Sequence, residues 1–358
     1  MRTADFDYEL PVELIAQSPA PERDRSRLMV LERATGRITH GCFADLRQYL
    51  RSGDLLLLNN SRVLHARLRG TKAGTGGMIE LLLLKENDLN DWWVMLRPGK
   101  RVRRGTMLTF HDRRGHGSGI DGTILEKNAE GHCRILFSGA TNLRHELDRI
   151  GETPLPPYII RQPRETNDAD RERYQTVYAQ VNGSIAAPTA GLHFTESLLD
   201  QIREQGVQIQ ALTLHVGAAT FAPVKTDEVA AHRMHEEYFS LGQSAAEAIT
   251  AARAGSGRVF AVGTTTVRVL ESVAAAHHGN VICAEGRTRL FICPPYKFRV
   301  ADALLTNFHL PRSTLLMLVS AFAAPGETRG RDLILAAYAE AIRERYRFFS
   351  YGDAMLIL

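Results

Sequence analysis

Cysteine is scarce in this chain: four in 358 residues, and none of them in a Cys-x-x-Cys pair. Cys42, Cys133, Cys283 and Cys293 therefore offer neither a zinc knuckle nor a disulfide framework, and a reducing cytoplasm fits them. The amino end, MRTADFDYELP, carries acids where a secretion signal has an apolar core. No apolar run approaches the length that spans a bilayer. A soluble intracellular protein with no membrane partner is expected. Glycine-rich nucleotide fingerprints are missing as well. No GxGxxG follows a strand, no GKS or GKT loop occurs, and there is no GxSxG elbow. A dinucleotide fold, a P-loop NTPase and an α/β-hydrolase lack their signatures. Charge of one sign is also in short supply. Lys and Arg (44) exceed Asp and Glu (40) by only +4, which permits a polyanionic partner without arguing for one.

The chain is 44% hydrophobic and 23% charged, ordinary for a globular protein, and its length suits two domains or one domain with an insertion. Up to residue 59 the pattern predicts a helix over 12–17, a strand over 26–32, a short helix over 43–50 and a buried strand over 54–59. From about Ser61 to Gly139 helical periodicity disappears. Six short strands follow at close spacing: 65–72, 78–86, 92–98, 106–110, 122–128 and 132–137. They predict a small antiparallel barrel or sandwich. The fold class expected is α/β, a large barrel-like αβ domain (residues 1–58 and 145–358) interrupted by a small inserted antiparallel β-barrel (59–144). Residues 161–174 are dense in both charges and read as a surface loop. Further on, strands are expected over 209–215, 258–262, 290–292, 303–307 and 354–358. Helices are expected over 195–205, 244–254, 265–276, 313–323 and 331–346, the second with Ser244 and Glu247 as a capping box.

One stretch organises the rest. Residues 183–195 read GSIAAPTAGLHFT, small and almost chargeless, which suits backbone approaching a ligand closely. A packed strand-to-helix corner reads the same way. Thr195 serves as N-cap to the helix that follows. Three further strand ends share the design: His215-Val-Gly217, Gly263-Thr-Thr-Thr266, and Asn307 leading to His309 and Pro311. In parallel αβ proteins ligands lie beyond the carboxyl ends of strands, where helix N-termini point free N–H groups. Gly263, Thr264 and Thr265 suit a carboxylate or phosphate, or are simply good caps. His193, His215 and His309 are the candidate bases or acids, in that order, with one base at most. His232 and His235 match no metal pattern, and no metal is expected. Cations gather in the expected barrel at Arg97, Lys100, Arg101, Arg103 and Arg104, around a Pro-Gly turn. Such density is costly in self-repulsion unless an anion approaches, and nucleic-acid phosphate or a solvated face both account for it. Of Trp92 and Trp93 beside it, one is expected in the core and one free to stack.

Read together, several segments resemble the S-adenosylmethionine:tRNA ribosyltransferase-isomerase family. They are Asp7–Pro11 (DYELP), Leu14–Gln17, Arg23-Asp24 with Ser26-Arg27, Asn59-Asn60 with Arg62-Val63, Tyr174–Tyr178 (YQTVY), Ala187–Thr195 (APTAGLHFT), Leu214–Gly217 (LHVG), Val262–Thr265 (VGTT), Thr306–Pro311 (TNFHLP), Ser313-Thr314 and Phe349–Asp353 (FSYGD). They run in order nearly from end to end. Departures are Ala219 for a usual glycine, Ser61 for a threonine and Pro295 for a glycine. The resemblance implies a reaction in which the ribosyl part of S-adenosylmethionine moves onto 7-aminomethyl-7-deazaguanine at the tRNA wobble position. Adenine and methionine leave and the sugar rearranges to give epoxyqueuosine. S-adenosylmethionine is then a consumed cosubstrate and tRNA the partner, with the protein expected to act as a monomer. Ala187, Pro188, Thr189, Gly191, Phe194, Gly217, Gly263, Thr264, Thr265 and Asn307 are the expected substrate contacts, Phe194 against the sulfonium. Arg268 is expected either on the methionine carboxylate or paired with Glu271. Other readings are a non-catalytic S-adenosylmethionine-responsive RNA-binding protein and an ordinary methyltransferase. RNA binding through the cation strip must weaken steeply with salt. Charge reversal at Arg101, Arg103 and Arg104 is expected to lower the slope of log K against log salt by about 2 to 3; an unchanged slope contradicts the assignment.

Overall fold

The structure is a computed structural model that describes residues 1–100, 102–161, 168–217, 224 and 226–358. Near the amino end β1 (Arg27–Leu31) and β2 (Ile38–Cys42) form a hairpin, followed by β3 (Leu55–Asn59) and the short β4 (Ser61–Val63). Six strands come next: β5 (Arg67–Lys72), β6 (Met78–Asp88), β7 (Asp91–Arg97), β8 (Met107–His111), β9 (Gly117–Lys127) and β10 (Cys133–Ser138). Then come α1 (Leu143–Ile150), β11 (Gly151–Glu152), α2 (Asp168–Arg173), β12 (Val181–Ser184), α3 (Glu196–Glu204), β13 (Gln208–Leu214), β14 (Glu237–Leu241), α4 (Gln243–Ala254) and β15 (Val259–Val262). The last elements are α5 (Thr264–Ala276), β16 (Ala284–Thr288), β17 (Ala303–Asn307), α6 (Thr314–Ala323), α7 (Gly330–Arg343) and β18 (Ala354–Ile357).

Nine strands form one mixed sheet in the order β16-β14-β13-β3-β15-β17-β18-β1-β2. Its centre is parallel: β13, β3, β15 and β17 run the same way, so their carboxyl ends share one rim. β18 runs antiparallel to β17 and parallel to β1, which brings the starts of β1 and β18 to that same rim. The central strands are near-continuous apolar runs because both faces are covered. In β3, Leu55 and Leu57 join the core beneath α4 to α7, while Leu56 and Leu58 join the opposite core with Phe43, Leu198 and Ile202. The period of two makes one strand serve two cores.

The α/β class with an inserted antiparallel barrel holds. Strands β5-β6-β7-β10-β9-β8 pair in sequence, and β8 returns to β5 to close a six-stranded barrel. Its side chains alternate buried and open, as in β6, so the apolar half fills the lumen. Trp92 is buried and Trp93 half-buried, as the pattern asked.

Several expectations need correction. Residues 12–17 hold only a 3-10 turn, Val12–Leu14, because Ile15 leaves to bridge Phe348. Phe43–Tyr49 is a 3-10 helix as well. The charged segment expected as a loop contains α2, Asp168–Arg173, while 162–167 lie outside the described residues. The strand expected at 290–292 is instead β16, five residues earlier; β2 carried too few apolar residues to be read as a strand, and β14 opens on a charged Glu237. The α4 cap is Gly242, two residues before the expected box; Gln243 donates to Glu247 instead. Thr195 does cap α3, accepting the Leu198 N–H at 3.1 Å.

At the rim opposite the strand carboxyl ends, Asp54 is fully buried. Its carboxylate accepts the N–H groups of Arg51 and Arg258 and pairs with the Arg258 guanidinium at 2.7 Å. Removing one partner strands the other and frees two amides. Asp54→Ala is expected to cost about 3 kcal/mol in urea unfolding, with KM for substrates unchanged; a loss below ~1 kcal/mol contradicts the role.

Candidate active site

The site is built where the small-residue segment crosses the parallel strand ends. Asn59, the last residue of β3, is fully buried. Its Nδ2 donates to the Leu214 carbonyl at 3.1 Å and to Thr265 Oγ1 at 3.2 Å, and its Oδ1 accepts the N–H groups of Leu214 and Ser61. One side chain thus ties the ends of β13 and β3 to the first turn of α5. Ser184, also fully buried, accepts the Val216 N–H at 3.0 Å and donates to Ser61 Oγ at 2.9 Å. The segment is seated by these bonds.

Small residues are needed there for visible reasons. A Cβ at Gly191 falls 2.0 Å from the Tyr178 hydroxyl, and one at Gly183 falls 2.7 Å from the His215 ring. Gly263 has φ of +88°, donates to the Leu305 carbonyl and lies against Ala190. It opens α5 and leaves the N–H groups of its first turn facing the rim. Thr264 is buried, Thr265 half-buried beside Asn59, and Thr266 turns back to the Val262 carbonyl. Ala187, Pro188, Gly191 and Asn307 are buried along the same rim, and Thr189 and Gly217 are half-buried. Phe194 is different. It lies in the core, edge-on to Phe43 at 5.0 Å, so its ring is not presented on the rim.

The three histidines do not converge. His193 stacks on Phe43, and both ring nitrogens are engaged: Nδ1 with Ser26 Oγ at 2.6 Å and Nε2 with Asn307 Nδ2 at 3.1 Å. The Asn307 amide nitrogen can only donate, so Nε2 accepts and Nδ1 carries the proton. His309 Nε2 meets Thr306 Oγ1 at 2.8 Å, and its backbone N–H donates to Tyr338. Thr306 and Asn307 are consecutive on β17 and point to opposite faces, so the histidines they bind lie on opposite sides of the sheet. His215 stacks on Tyr238, is half-buried, and makes no ring hydrogen bond among the described residues.

Titration separates them further. Burial, then Arg23 and Arg347, push His193 down to about 3; burial alone pushes His309 down to about 3. Both are fixed as neutral imidazoles and are weak bases at pH 7. His215 is lowered by burial and by Arg144, and its buried Nδ1 has no partner.

Arg268 is buried and pairs with Glu237, not Glu271. Glu237 also accepts the Gly217 N–H at 3.2 Å, so the pair anchors the loop after β13. Glu271 accepts the N–H groups of Arg299 and Val300 instead. Arg97, Lys100, Arg103 and Arg104 are exposed on the barrel; Arg101 and Ala219 lie outside the described residues. Residues 232–236 are extended rather than helical, and no metal-binding group of side chains occurs among the described residues. Asn59 was legible as the polar end of a buried apolar run. Ser26 stood among the resembling segments, but its contact with His193, 167 residues away, was not legible.

These features define an α/β protein in which a small-residue segment crosses the carboxyl ends of parallel strands and which carries an inserted antiparallel barrel. The chain belongs to the queuosine biosynthesis protein family, whose profile matches residues 3–357. It is 51% identical over 358 residues to the S-adenosylmethionine:tRNA ribosyltransferase-isomerase of Symbiobacterium thermophilum, covering all of both chains. It is 50% identical over 359 residues to the enzyme of that name from Desulforamulus reducens, again over both full lengths. Among solved structures, the S-adenosylmethionine tRNA ribosyltransferase of Thermotoga maritima is similar, with 38% identity and a TM-score of 0.55 over 99% of this chain and 100% of that one.

The two buried neutral histidines make stability fall with acid. Unfolded histidine binds a proton near pH 6.5, whereas His193 and His309 do so only near 3, so the unfolded state holds more protons between these values. Replacing His309 with Gln is expected to lower the slope of unfolding free energy against pH in that window by about 1.4 kcal/mol per pH unit. Identical slopes contradict the assignment.

Proposed function

We propose that this chain transfers and isomerises the ribosyl group of S-adenosylmethionine onto 7-aminomethyl-7-deazaguanine in tRNA, releasing adenine and methionine. Full-length identity of 50–51% to two enzymes of that name carries the reading. The rim supports it physically. The sulfonium acidifies the adjacent carbon, and a positioned base must take that proton. We assign this role to His215 rather than His193. His215 has a buried, unpartnered Nδ1 against Gly183 of the small-residue segment, whereas both nitrogens of His193 are committed.

In this reading the α5 N-terminus, Gly263 to Thr265, receives the carboxylate of the methionine portion, with Asn59 fixing Thr265. His193 holds the Asn307 amide in place against the segment. The buried Ala187–Gly191 stretch excludes water that would otherwise compete for the sugar. The exposed barrel cations Arg97, Lys100, Arg103 and Arg104, with Arg101, take RNA phosphates.

Adenine release from S-adenosylmethionine with queuosine-deficient tRNA tests the activity. Appearance of S-adenosylhomocysteine instead indicates methyl transfer, and binding without any product indicates a non-catalytic protein. His215→Ala is expected to lower kcat by about 10² to 10⁴. In the parent enzyme kcat/KM should fall as pH drops below neutrality, because the lowered His215 must be neutral to accept a proton. That acid limb disappears in the variant. A variant with full turnover contradicts the assignment.

A further inference from the structure

A narrow cleft lies on the same rim, on the β1 and β18 side. It is open to solvent, and its walls include Ala20, Arg23, Ser26, Arg173, His193 and Gly352. Arg23 donates to the carbonyls of Leu192 and Glu172, each at 3.0 Å. Arg173 donates to the carbonyls of Pro21 and Ala20, at 3.1 and 2.5 Å, and its buried Nε has no partner. A third guanidinium, Arg347, donates to the Ser18 carbonyl of the same loop. Three cations are therefore held in place by neutral carbonyls. Among the described residues none of the three forms an ion pair.

The nearby carboxylates are committed elsewhere. Asp353 accepts the backbone N–H groups of Arg27 and Arg347 and acts on the Arg347 side chain at a distance, and Asp170 takes the Arg161 guanidinium and the Tyr351 hydroxyl. Glu172 is exposed and acts on Arg23 only at a distance. Part-buried guanidinium charges without a counter-charge are costly, and a fixed fork of N–H donors suits a tetrahedral oxyanion.

We propose that this cleft binds a phosphodiester of the RNA substrate, held by Arg23 and Arg173, with Arg347 bracing the Ser18 end of the loop. The inference rests on the reading of the chain as a tRNA-modifying enzyme. A nucleobase that reaches the strand ends brings its flanking phosphates to the rim, and the cleft is the part of the rim where fixed cations lack anions. The donor's carboxylate has its own place at α5. The bound phosphate also sits over the His193 wall, whose ring nitrogens lead through Ser26 and Asn307 to the strand ends. RNA seating is thereby linked to the order of the reaction site.

The test uses the full chain and two variants, with inorganic phosphate as the simple probe. Arg173→Met removes one fork; Ala20→Asp supplies a tethered carboxylate and keeps every arginine. Inorganic phosphate is expected to shift the wild-type His193 ring resonances and to leave both variants unshifted. KM for tRNA should rise by about ten- to a hundred-fold in both, with kcat and KM for S-adenosylmethionine within about two-fold. Ala20→Asp should keep the wild-type melting temperature or exceed it, which separates lost binding from lost folding. Unchanged KM for tRNA in Ala20→Asp overturns the proposal, as does a rise confined to KM for S-adenosylmethionine, which would place the donor's carboxylate in the cleft. The phosphate titration does not depend on turnover, so failure of the enzymatic reading is seen separately, as absence of adenine release by the wild type.

Discussion

Asn59 is buried without access to water, and its carboxamide makes four hydrogen bonds that join two strand ends to the start of a helix. Burying an amide is costly unless every donor and acceptor finds a partner, and here each does. That balance fixes where β13, β3 and α5 end relative to one another. Ser184 extends the arrangement by binding Val216 and Ser61, which lays residues 183–195 across the strand ends. The glycine contacts with Tyr178 and His215 then follow, since larger residues cannot occupy the space.

Alternation along β17 decides how the histidines divide. Thr306 and Asn307 face opposite cores, so His309 and His193 are separated by the sheet although they resemble one another in sequence context. Each is held neutral by burial; His193 has both ring nitrogens engaged, and His309 has its Nε2 on Thr306. A histidine in that condition orders its neighbours. His215, stacked on Tyr238 with an unpartnered Nδ1, is the one proposed for proton transfer.

Much of this was legible in the residues. Apolar runs such as Leu55–Leu58 declare a strand buried on both faces, and alternation between residues 65 and 137 declares a barrel whose apolar half turns inward. The small-residue segment and the Gly263 corner were also readable, because close backbone approach or positive φ accounts for such composition. What escaped was set by partners distant in sequence. Nothing near His193 announces Ser26, and nothing near Arg268 announces Glu237 across 31 residues. The strand β14 was hidden because charged Glu237 is buried only by virtue of its ion pair. The 3-10 character of Phe43–Tyr49 reflects packing of Phe43 and Leu46 into a core whose other walls come from elsewhere.

A structure with an unreactive S-adenosylmethionine analogue bound tests the central claim most directly. The account predicts the ligand across the ends of β3, β13 and β15, its sulfonium-bearing carbon within about 3.5 Å of His215 and its carboxylate at the first turn of α5. A ligand lodged away from those strand ends, with the 183–195 segment closed over them by its own side chains, would contradict it.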